Sequence, residues 1–101
     1  MSIKKQYTKS HSICKVTFSL TKEQAFSASS VNLTGDFNDW DTGSLPMKKS
    51  KNGEFTLSIE LEAGKEYHFK YLIDGKEWIN ELEADSHVQN PYMSENSVIV
   101  V

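Results

Sequence analysis

The sequence predicts an all-β chain folded as an antiparallel sandwich, and three observations carry that prediction. Apolar and polar residues alternate over several short runs, which is the period of a half-buried strand. Clusters of Gly, Asn, Asp and Pro separate those runs at short intervals. No stretch holds a helical period long enough to make a stable helix. At 101 residues the chain suits one domain around one core.

Residues 1–11 are polar apart from Ile3 and Tyr7 and are expected to form a flexible arm, with residues 12–101 as the domain. The run ICKVTFSL places Cys14, Val16, Phe18 and Leu20 on one face of a strand. TKEQAFSASS follows as a polar connection, with Phe26 as its expected apolar anchor. Ser30 to Gly35 reads as the second strand, and Met47 to Lys49, after Pro46, as a short third one. Asn52-Gly53 is a hairpin signal, and beyond it EFTLSIELE turns Phe55, Leu57, Ile59 and Leu61 inward. EYHFKYLI alternates again, with Tyr67, Phe69, Tyr71 and Ile73 on one face and His68, Lys70 and Leu72 on the other. Asp74-Gly75 turns the chain towards Glu77-Trp78-Ile79. Residues 80–96 read mostly as loop, and SVIVV closes the chain as a β-branched terminal strand. About seven strands with regular turns imply an immunoglobulin-like antiparallel β-sandwich. A single cysteine, Cys14, leaves no internal disulfide, and its place among apolar neighbours makes it a core residue.

Two tryptophans stand out. Trp40 ends VNLTGDFNDW between two aspartates, and burying it would draw both carboxylates into low dielectric. The simpler reading is an indole on a loop with one face open to a ligand; the plainer alternative is a tryptophan sealing the end of the sandwich. For Trp78 the register decides. A two-residue turn at Asp74-Gly75 would pair Tyr71 with Trp78 and bury it. A three-residue loop would pair Leu72 with Trp78 and place it beside Lys70 on the outer face. The longer, bulged loop is the expectation.

Other chemistry is argued against. A net charge of −3 disfavours a phosphate-backbone partner, so no nucleic acid is expected. No apolar run approaches a membrane span, and MSIKKQYTKSHS lacks the apolar core of a signal peptide, so the expected compartment is the cytoplasm. His11, His68 and His87 lack ligand spacing, and DFNDWD lacks the glycine of a calcium loop, so neither metal nor cofactor is expected. The chain has no room for the barrel that glycosidases normally use, and no two carboxylates are tied together by motif, so an independent enzyme is not expected.

GDFNDW, then KYLIDG with a tryptophan shortly after, then ENSVIVV, resemble in order the glycogen- and starch-binding modules of carbohydrate-binding module family 48. That family includes the glycogen-binding domain of the AMP-activated protein kinase β subunit and the early set domains of isoamylases and branching enzymes. The resemblance implies a non-catalytic module that binds an α-1,4-glucan or maltooligosaccharide by stacking two tryptophans, Trp40 and Trp78, on glucose rings. It also implies rim contacts from Lys70 and from Asn96, a residue that suits a turn cap equally well, with Tyr92 and Ser94 in a loop over the ligand. The alternative it allows is an interaction module that docks on a glucan-active enzyme or a kinase partner without binding sugar. Two indole faces would contribute about 4–5 kcal/mol gross, which after ordering costs corresponds to roughly micromolar-to-millimolar binding.

Overall fold

In the computed structural model, which describes residues 2–91 and 94–101, nine strands form two antiparallel sheets. The first sheet runs β1 (Ser2–Tyr7), β2 (Ile13–Leu20), β5 (Phe55–Glu62), β4 (Lys48–Lys49) in spatial order. The second runs β3 (Val31–Gly35), β6 (Glu66–Ile73), β9 (Glu95–Val100), β8 (Ser86–Gln89), with β7 (Glu77–Ile79) also paired to β6. The chain is therefore an all-β antiparallel sandwich of the immunoglobulin-like kind, and its one cysteine is free and buried.

Alternation becomes burial where both sheets turn inward. Cys14, Val16, Phe18 and Leu20 of β2 face Leu33 of β3, Phe69 and Tyr71 of β6 and Ile99 of β9 in one buried cluster. Phe18, Phe69 and Tyr71 meet edge to face at the centre, with ring centroids 5.2 to 6.5 Å apart. Phe37, in the connection after β3, packs on Phe18, Tyr67 and Phe69 and thereby seats that connection on the core.

Two expectations are corrected. Residues 2–7, expected as part of a flexible arm, pair with β2 over their whole length, from Ser2 opposite Ser19 to Tyr7 opposite Cys14. Their pull is local ladder bonding, Ile3 against the core, and Lys5, whose ammonium donates to Asp85 Oδ2 and to the Val100 carbonyl, both at 2.8 Å. Phe26 does not anchor its connection: it is 65% exposed at a positive φ of 54°, and Ala25 and Ala28 are buried instead. The reciprocal bonds between Thr21 and Gln24 set a turn that points the small side chains inward. The stretch 80–96 is mostly loop as expected, but within it β8 adds an outer strand beside β9.

That segment is held by a buried polar group. Glu81 is 0% exposed, and its carboxylate accepts the Tyr71 hydroxyl at 2.7 Å and the Glu83 amide at 3.0 Å. Its own amide donates to Ser97 Oγ at 2.8 Å, and its carbonyl meets His87 Nε2 at 2.8 Å. Burial, then the charge and hydrogen bond of Glu81, raise the Tyr71 phenol well above its ordinary 10.0. A raised folded pKa favours the protonated fold, so this contribution is complete below pH 10 and is lost as pH rises beyond it. Stability measured by urea unfolding should accordingly decline above about pH 10. Tyr71→Phe should flatten that decline while lowering stability at neutral pH by about 1–3 kcal/mol, because Glu81 loses a buried donor.

Candidate functional site

The site starts where β3 stops. At Gly35 the backbone is extended and lies so close to β6 that a Cβ would stand 2.4 Å from the His68 carbonyl oxygen and 2.7 Å from Phe69 Cβ. Space, not φ, demands glycine there. Gly35 opposite Phe69 is the last β3–β6 pair, and the chain then enters a single 3-10 turn, Asp36–Asn38. Phe37, half-buried, packs against the core, which leaves Asp36 and Asn38 to organise the surface. Asn38 Oδ1 accepts the Gly35 amide at 3.0 Å, and its Nδ2 donates to the Asp41 carbonyl at 3.1 Å and to Ser44 Oγ at 3.0 Å. Asp39 and Trp40 both hold left-handed backbone, at φ 55° and 58°. Such values are uncommon for residues with a Cβ and persist only where surroundings over-determine them.

The surroundings here are hydrogen bonds. The Trp40 amide donates to the Gly35 carbonyl at 2.8 Å, and its indole Nε1–H donates to Asp36 Oδ1 at 3.0 Å. Asp36 Oδ2 accepts the His68 backbone amide at 2.8 Å, just past the last β3–β6 pair. One carboxylate thus joins the indole to β6.

On β6, Lys70 lies opposite Thr34 and Leu72 opposite Asn32. Leu72 in turn pairs with Trp78 on β7, and Ile73 with Glu77, leaving Asp74 to Lys76 as a three-residue loop. Cross-strand partners share a face, so Trp78 lies on the outer face with Lys70 and is 44% exposed. Asp74, at φ 50°, accepts the Ser29 and Ser30 amides at 2.8 and 3.0 Å and so fixes this hairpin to the segment before β3.

Lys70 faces outward as expected but is only 8% exposed. Its ammonium donates to Ser94 Oγ at 3.0 Å, and burial lowers its pKa from 10.5. Asn96 precedes the core-facing Ser97 and accepts Asn90 Nδ2 at 3.0 Å through Oδ1; among the described residues its own amide hydrogens have no acceptor.

These groups enclose a cleft of about 830 Å³ on the outer face of the second sheet, within the range of small-molecule sites. Five of the six residues expected from the sequence line it: Trp40, Trp78, Lys70, Ser94 and Asn96. The sixth, Tyr92, lies outside the described residues. The cleft also takes in Asp36, Thr42, Asn90 and Pro91, which the sequence reading did not name as site residues. Asp36 was legible as a second acid inside GDFNDW, and Asn90-Pro91 as a turn signal; nothing singled out Thr42.

The expected stacking of two tryptophans on glucose rings is corrected. Both indoles reach the cleft, but only Trp40 is held in place by a side-chain hydrogen bond. Among the described residues the Trp78 ring has no hydrogen-bond partner, and the two indoles make no ring contact with each other or with any other aromatic side chain. The reason is local. Trp40 sits in a turn stapled by Asp36 and Asn38, whereas Trp78 stands in the middle of a strand only three residues long. The arrangement is one fixed aromatic platform in a cleft rimmed by hydrogen-bonding groups.

Such a cleft on a β-sandwich defines a binding module with the means to take a ligand that is part apolar face and part hydroxyl edge. Residues 16–101 match the family model described as the glycogen recognition site of AMP-activated protein kinase, and the chain belongs to that family. The match is to a recognition module and not to a catalytic domain. The chain is also similar to "Protein PTST homolog 2, chloroplastic" of Arabidopsis thaliana, with 50% identity over 50 residues. That stretch is 50% of this chain and 9% of the relative's length.

The close approach at Gly35 is testable. Gly35→Ala should lower unfolding stability by about 3 kcal/mol or more, because the obstructing atoms belong to backbone and Cβ and cannot swing away. Gly43→Ala, where the nearest atom is 3.8 Å from the added carbon, should change it by less than about 0.5 kcal/mol. Urea midpoints of the two variants make the comparison.

Proposed function

We propose that the chain binds an α-1,4-glucan such as glycogen, starch or a maltooligosaccharide, and does so without catalysis. The observation that carries this reading is the fixed Trp40 indole standing in the same cleft as Lys70, Asn96 and Ser94, in a chain of the glycogen recognition family. A pyranose presents an apolar C–H face and a rim of hydroxyls. Trp40 answers the face; the free amide hydrogens of Asn96 and the remaining ammonium hydrogens of Lys70 answer the rim.

Magnitude sets how such a site acts. One indole face covers about 80–100 Å² of sugar, worth about 2–2.5 kcal/mol, and each rim hydrogen bond adds about 1. After ordering costs the net corresponds to a dissociation constant on the order of millimolar. That is weak for a free oligosaccharide and suits a polymer with many repeated sites.

A second reading is docking on a glucan-active enzyme, favoured by the outer edge of β8, a fully exposed strand whose far side is unpaired among the described residues.

Titration with maltoheptaose should change tryptophan fluorescence over the millimolar range, and Trp40→Ala should weaken binding at least about tenfold. An unresponsive wild-type protein at about 10 mM sugar would overturn the proposal and leave the docking reading.

A further inference from the structure

We infer that Asp36 is the positioning residue of the Trp40 platform, and that the position requires a carboxylate. This rests on the glucan-binding reading for its functional consequence, though not for its geometry.

Two donors converge on Asp36 from different parts of the chain. The Trp40 indole N–H reaches Oδ1 at 3.0 Å and the His68 backbone N–H reaches Oδ2 at 2.8 Å. A carboxylate offers acceptors on both oxygens, whereas an asparagine offers one acceptor and turns an N–H₂ group towards the other donor. A serine reaches one donor at most. Neither neutral replacement satisfies the indole and β6 together.

The clamp matters because, among the described residues, no other hydrogen bond and no ring contact directs the indole. The Trp40 backbone is in the left-handed region at φ 58°, and among the described residues the ring stacks on no other aromatic side chain. Without Asp36 the indole keeps its place in the chain but loses its orientation over the cleft. Among the described residues no cation lies within ion-pair distance of Asp36, so its charge is committed to these two N–H groups. A charged acceptor makes such bonds shorter and stronger than a neutral one does.

The test uses the whole chain in three arms. In nitrogen-15 spectra of the unliganded protein the two indole N–H signals are assigned by the one that Trp78→Phe removes. Trp40 Nε1–H should exchange with water at least about tenfold more slowly than Trp78 Nε1–H, as a protected donor does. Equal exchange overturns the clamp, whatever the variants do. Asp36→Asn should raise the maltoheptaose dissociation constant about tenfold, equivalent to about 1.4 kcal/mol. An unchanged constant in a folded Asp36→Asn protein overturns the proposal. Trp40→Phe lacks the indole donor, so adding Asp36→Asn to it should change the constant less than about twofold. A full tenfold loss in that background would assign Asp36 to the sugar itself and overturn the positioning role. A wild-type protein that ignores maltoheptaose would instead sink the glucan reading, with the exchange arm still deciding the clamp.

Discussion

The approach of Gly35 to β6 is the constraint on which the site depends. With no side chain there, β3 closes onto the His68 carbonyl and then has to leave the sheet at once. The turn that follows divides its residues by chemistry. Phe37 packs against the core, Asn38 staples the loop through four hydrogen bonds, and Asp36 takes up the His68 amide beyond the last β3–β6 pair. Trp40 is placed by this sequence of events and, among the described residues, by no contact of its own with another ring. The recognition surface is in this sense a consequence of how one strand ends.

The opposite side of the cleft has a different origin. A bulged three-residue loop sets the register that turns Trp78 outward, and Asp74 fixes that loop to the residues leading into β3. Lys70, half-walled by Ser94, contributes a cation whose burial already disfavours its charge. A hydroxyl-rich ligand supplying acceptors to that ammonium would offset part of the desolvation, which is one physical reason for a partly buried lysine at such a site. Beneath it all, the Glu81–Tyr71 pair secures the segment that carries the chain from β7 to β8.

Much of this was legible in the amino-acid order. The alternation of β2 and β6 and the outward register of Trp78 follow from strand period and loop length, while the five expected residues around the cleft came together only through the family resemblance of the ordered motifs. What escaped was decided by tertiary contact. Residues 2–7 carry too little apolar material to read as a strand, and only pairing with β2 and the reach of Lys5 to Asp85 order them. Phe26 looked like an anchor because it is large, yet the turn at Thr21–Gln24 sends Ala25 inward instead. Nothing in the order of residues marks Glu81 as an acid buried against Tyr71. The difference between the two indoles lies in hydrogen bonds that no spacing reveals, since both sit near turns and both directly follow an acid.

The most direct measurement of the central claim is residue-by-residue mapping of amide and side-chain resonances during addition of maltoheptaose. The account predicts that the largest changes fall on 35–41, on Lys70 and on 94–96, while β1, β2 and β5 stay silent. Changes centred on the outer face of the first sheet, or an unchanged Trp40 indole at saturating sugar, would contradict it.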